Sequence, residues 1–142
     1  MGYVYAAVAG ALMSIQGVMN TRLSSKIGIY ESNVYVQGTA FVISVIAMLF
    51  LKNGNWANIK EVNKIYLLGG VLGIFITITV MLSIKNLSPA QSVSTILISQ
   101  LLVAALIDAF GIMDSAKVSF GWNKYVALVM LIGGVMLFKT EL

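Results

Sequence analysis

The sequence predicts an all-α, polytopic integral membrane protein: one domain over residues 1–142 with five transmembrane helices, assembling as an antiparallel homodimer. Three observations predict this. Of the 142 residues, 59% are hydrophobic and only 10% charged, with mean hydropathy +0.94, against roughly 25% charged residues in an ordinary soluble domain. A larger core cannot absorb the difference, because a chain this small keeps much of its surface exposed. That surface must face lipid. The apolar residues also fall into five segments of about membrane length, and the basic residues divide almost evenly between the two faces that those segments define.

Spanning a bilayer takes roughly 20 mostly apolar residues. The first span is expected at about 3–21, with no basic residue before Arg22; a secretory leader would carry its basic residues first, so this reads as a retained span. "SSKIGIYES" connects it to the second, at about 32–51. "KNGNWANIKEVNK" leads to the third, at about 65–84, with Gly54 placed to end a helix. In "KNLSPAQS", Ser88 is a candidate cap, Pro89 suits a first helical position, and Gln91 completes an S-x-x-Q capping box. The fourth span is expected at about 89–111 and the fifth at about 120–138. Trp56, Trp122, Tyr30, Tyr66 and Tyr125 fall near span ends, where amphipathic rings prefer the interface.

With five spans the termini lie on opposite sides. The N-terminal side then carries Lys52, Lys60, Lys64, Lys117 and Lys124, and the other side Arg22, Lys26, Lys85 and Lys139. An excess of Lys and Arg in cytoplasmic loops normally fixes orientation. Five against four is almost no excess, so insertion in both orientations is the expected result, with one weakly set orientation as the alternative.

The chain has no cysteine and no histidine. Disulfides, thiol catalysis, zinc chemistry and histidine relays are excluded, and no cofactor or metal is expected. The formal charge of +4 comes from scattered residues that flank spans, which argues against nucleic acid as a partner. No phosphate-gripping loop and no nucleophile–base pair is present, so an enzyme is not expected.

The polar residues within the spans carry the functional reading. At about 100° per residue, Ala6, Ala9, Gly10, Met13, Gln16, Gly17 and Asn20 share one arc of the first span. Val8, Leu12, Ile15, Val18 and Met19 take the opposite one. Small residues let helices approach and polar ones bond across them, so Gln16 and Asn20 are expected to point inward. The second span offers Gln37 and Gly38, and the third an arc of Tyr66, Gly69, Gly70, Gly73 and Thr77. In the fourth, Ser88, Ser92, Thr95 and Ser99 form a stripe with Gln100 at its flank. The fifth is nearly all aliphatic, with Gly133 and Gly134 for close contact, and is expected to pack the dimer.

Gln16 lies about 9 Å inside Arg22, and Gln37 about 9 Å inside Glu31, which puts both at similar depth. Two roles remain for these uncharged groups: interhelical glue, or the lining of a pathway for a small-molecule substrate. Asp108, about 29 Å along its span from Pro89, sits near the opposite face. Its carboxylate is either a coupling group or a structural charge paired with Lys117 or Lys124. No carboxylate lies at mid-depth.

The stretches "AGALMSIQGVMNTRLSSKIG", "GGVLGIF", "ISQLLVAALIDAFGIMD" and "LIGGVMLF" together resemble the YdcZ-type family of the drug/metabolite transporter superfamily, over essentially the whole chain. Gln16–Asn20–Arg22–Leu23 and Gln100–Asp108–Gly111 are the most specific parts. The resemblance implies five-span proteins of the bacterial inner membrane that occur as dual-topology homodimers, oppositely oriented pairs or fused ten-span forms. Related small multidrug exporters use a membrane glutamate in the first helix. No acidic residue occupies the first span here, so that proton exchange does not carry over. The expected function is secondary transport of a small polar or amphipathic metabolite by alternating access, at a site shared between two inverted subunits. Gln16, Asn20, Gln37, Ser92, Thr95, Ser99 and Gln100 are the expected substrate contacts. The alternative is an accessory membrane subunit without transport of its own.

Overall fold

A computed structural model describes residues 1–51, 54–115 and 121–139. Among them are five α-helices and no strand: α1 (Gly2–Ile27), α2 (Ile29–Leu51), α3 (Gly69–Asn86), α4 (Pro89–Phe110) and α5 (Trp122–Lys139), with short 3₁₀ turns at Trp56–Lys60, Lys64–Leu68 and Ile112–Asp114. The chain separates into two compact units, 1–86 and 87–142.

The helices are apolar on the outside. Phe50 is 83% exposed and Leu137 75%, while among the described residues the buried apolar side chains are Met81 and Ile84. Water would not tolerate such a surface; the bilayer is the solvent for it. Four helices are long and apolar enough to cross a membrane: α1, α2, the continuous run Lys64–Asn86, and α4. Among the described residues the apolar part of α5 runs over Trp122–Leu137.

In the first unit, α1 and α2 run further than the apolar stretches predict. Nearly all of "SSKIGIYES" is helical, and one residue, Gly28, separates the two helices. Gly28 adopts φ 101 and ψ 158, a region open essentially only to glycine. Its N–H donates to Ser24 O at 3.0 Å, and its carbonyl accepts from the Ser32 N–H at 3.1 Å. The carboxylate of Glu31, the far end of a flexible side chain, lies where a Cβ at Gly28 would sit.

Helix α1 packs on both α2 and α3. Its buried residues are Gly17, Asn20 and Ser24, spaced three and four apart and so on one face. A Cβ at Gly17 would lie 2.9 Å from Ile84 Cδ1 and 3.2 Å from Val80 Cγ1. The absence of a side chain there is what brings α1 against α3. Asn55 and Asn63 start the connecting turns by accepting from the N–H groups of Ala57 and Ile65, at 2.9 and 3.2 Å.

In the second unit α4 packs against α5. The capping box that the sequence predicts is formed: Ser88 Oγ accepts from the Gln91 N–H at 3.2 Å, and Gln91 Oε1 from the Ser88 N–H at 3.5 Å. Pro89 occupies the first turn, where its missing N–H costs no bond. Gly111, left-handed at φ 64 and ψ 37, closes the helix with its N–H on Ile107 O. Phe120, the expected first residue of the fifth span, lies outside the described residues; the helix begins at Trp122, whose ring sits 6.3 Å from that of Tyr125.

Candidate functional site

Within the first unit the candidate residues separate into packed and open ones. Asn20 is 9% exposed and lies on the face of α1 that meets the other helices. Gln16, one residue from Gly17 but off the buried face, is exposed. The small-polar arc of α1 is therefore split: its Gly17–Asn20 edge packs and its Gln16 edge stays open.

Gln37 is half-buried and reaches α3, where its Nε2 donates to Thr77 Oγ1 at 3.3 Å. Thr77 in turn donates to Gly73 O at 2.9 Å. The Gly73 position lies 3.8 Å from Gln37 Nε2, measured from an ideal Cβ, so the glycine leaves the amide in van der Waals contact. Two polar arcs inferred separately, Gln37 and Gly73–Thr77, thus meet. As an interhelical bond this one performs the role of glue.

A buried polar group at the α1–α2 turn was not singled out by sequence reasoning. Ser32 is fully buried and Asn33 7% exposed, and neither Ser32 Oγ nor Asn33 Oδ1 has a hydrogen-bond partner. They sit four and five residues after Gly28, Ser32 at the end of the stretch that reads as a connection and Asn33 at the start of the expected second span.

The second unit contains a cavity between α4 and α5 with a volume of about 440 Å³. Gln91, Ser94, Thr95 and Ser99 form its polar side; Ile98 and Val135 are among its apolar walls. Thr95 and Ser99 from the expected stripe line it. Ser92 does not: it is fully buried on the packed side, with its Oγ unpartnered. Gln100 is exposed and outside the lining. Gln91 and Ser94 join the cavity without having been expected there. Their spacing supplies the signal, since 91, 94, 95, 98 and 99 form one i, i+3, i+4 face.

Asp108 is half-buried two residues before the end of α4. Lys117, one of its two expected partners, lies outside the described residues. A Cβ on Gly133 or Gly134 meets nothing within 4 Å, so neither glycine is needed for packing within the second unit. No cluster of potential metal ligands occurs among the described residues.

Apolar helices that carry polar groups on selected faces, and a cavity of small-molecule size, describe a membrane protein that handles a solute. No curated protein and no solved structure matches the chain. A family model does, over residues 1–137, with the description "Putative inner membrane exporter, YdcZ". That match covers nearly the whole sequence, including three of the motif stretches in full and the fourth up to Leu137. The chain belongs to the YdcZ family of the drug/metabolite transporter superfamily.

Proposed function

We propose that this membrane protein, a member of an exporter family, is a secondary active transporter that moves a small polar or amphipathic metabolite by alternating access. The observation that carries the reading is the α4–α5 cavity. Its volume, about 440 Å³, lies in the range of roughly 300–1,000 Å³ typical of small-molecule sites. Four polar side chains line it in a helix otherwise apolar enough to span a membrane.

The working form in this reading is an antiparallel homodimer of five-span subunits, with the substrate site shared between the two copies. Nearly balanced basic residues and an odd number of helices support it. Many transporters use two inverted repeats around a site near the midplane; a five-helix chain supplies one repeat, and a second, inverted copy supplies the other. Gln16, exposed on α1, and Gly133 and Gly134, exposed on α5, are free of packing duties within their own units and so available to a pathway and a dimer contact respectively.

The accessory-subunit reading draws on one observation, the Gln37–Thr77 bond, which ties helices together. Reconstitution decides between the two. Purified protein in liposomes, given a panel of small amphipathic metabolites under an imposed proton or sodium gradient, should show gradient-dependent uptake of some panel members that empty liposomes lack. Well-folded protein that moves none of them under either gradient supports the accessory role.

A further inference from the structure

The hydroxyls of the α4–α5 cavity have already committed their protons. Ser94 Oγ and Thr95 Oγ1 both donate to Gln91 O, at 3.1 and 2.8 Å, and Ser99 Oγ donates to Thr95 O at 3.2 Å. A hydroxyl has one hydrogen to give and two lone pairs to receive with. What these three side chains present to the cavity is acceptor capacity. Gln91 has the opposite bias: its Oε1 is engaged by the Ser88 N–H, leaving Nε2 to donate. None of the residues lining the cavity carries a formal charge.

We infer that this cavity selects uncharged, largely apolar molecules bearing a hydrogen-bond donor, such as alcohols, phenols or primary amides. The inference rests on reading the cavity as the transport site and names the substrate class for it. A ligand with only acceptors finds one donor, the Gln91 amide, and beyond it must pull a hydroxyl proton from its helix carbonyl, exchanging one bond for another. A ligand hydroxyl or amide N–H finds lone pairs waiting.

Ions are the serious competitors, and desolvation decides against them. An ammonium bonds the same oxygens more strongly than an alcohol does. It must also leave water for a cavity with no carboxylate, and the cost of an uncompensated charge exceeds the gain from a few neutral acceptors. A carboxylate pays that cost and in addition sets acceptor against acceptor. An ether matches the apolar walls but brings no proton.

The test uses the full chain in nanodiscs and four probes that share one skeleton: 4-phenylbutan-1-ol, its methyl ether, 4-phenylbutylammonium and 4-phenylbutanoate. Binding is read by saturation-transfer NMR on the probe, with empty nanodiscs subtracted. The alcohol should bind roughly three- to tenfold more tightly than the ether, the worth of about one neutral hydrogen bond, and more tightly than either ion. Combining Ser94→Ala and Thr95→Val with Ser99→Ala should bring alcohol and ether within about twofold, since the lone pairs of these three hydroxyls distinguished them. An ether that equals the alcohol in the unmodified protein, an ion that binds best, or no protein-dependent binding overturns the inference. Transport is measured separately in liposomes. Alcohol-selective binding without movement of any solute removes the transporter reading and keeps this one; movement of ions with no preference for donors does the reverse.

Discussion

Gln37 on α2 donates to Thr77 on α3 at 3.3 Å, and Thr77 hands its own proton to the Gly73 carbonyl at 2.9 Å. Thr77 is therefore acceptor to one helix and donor to its own. Interhelical bonds of this kind in membranes average about 0.6 kcal/mol and reach about 1.7, because the separated helices find other partners.

The pair should behave as a unit. Gln37→Leu and Thr77→Val should each destabilise the subunit by about 0.6–1.7 kcal/mol, and the double variant by little more than either. The measurement is reversible unfolding in mixed detergent micelles across the full double-mutant cycle. Strict additivity would show that the two side chains do not couple.

Gly28→Ala should cost about 1–3 kcal/mol, the strain of a non-glycine residue in this backbone region. Trimming the neighbour as well, with Glu31→Ala, should recover little of the loss, since the φ of 101° is the larger obstacle. Recovery to the unmodified stability would show instead that the Glu31 carboxylate was the obstacle.

Gly17 and Gly134 separate packing inside a subunit from packing between subunits. Gly17→Leu would drive a side chain into Ile84 and Val80 and should lower subunit stability, whatever the dimer does. Gly134→Leu meets open space in the subunit; if α5 forms the dimer contact, it should leave helicity intact and shift the protein toward monomer in cross-linking or mass photometry. An unchanged dimer assigns the contact to another helix.

Gln16→Leu should abolish or strongly reduce transport while stability stays within about 0.5 kcal/mol of the unmodified protein, as for a surface change away from packed features. Asn20→Leu should act differently, because Asn20 is buried; its first effect should be on stability. Full transport by folded Gln16→Leu would falsify its place in the pathway.

Five basic residues on one side and four on the other predict two insertion products. A C-terminal tag should be accessible from both faces of the native membrane. Two lysines added next to Lys139 should draw the C-terminus inward. A tag that is reachable from one face only rules out dual topology.

What the sequence reveals here depends on the range of the interaction. The Ser88–Gln91 box and Pro89 are local, and their spacing alone specifies the start of α4. Helix ends at the α1–α2 turn are less legible, because hydropathy marks where lipid begins and not where the backbone stops being helical. Gly28 alone breaks the helix, through a dihedral that composition does not encode. A helical wheel placed Gln16 and Asn20 on one face, yet only the packing of α2 and α3 on α1 decides that Asn20 is covered and Gln16 is not. Likewise the stripe of α4 predicts Thr95 and Ser99, but which neighbours share their cavity depends on where α5 packs. Gly17 was one small residue among several until Ile84 and Val80 met it.

Gly28 is the whole of the connection between α1 and α2. A junction of one residue has no slack, so neither helix can slide along its axis without carrying the other. The two helices move as one hairpin, and any displacement of α1 during a working cycle is handed on to α2 within a single peptide unit.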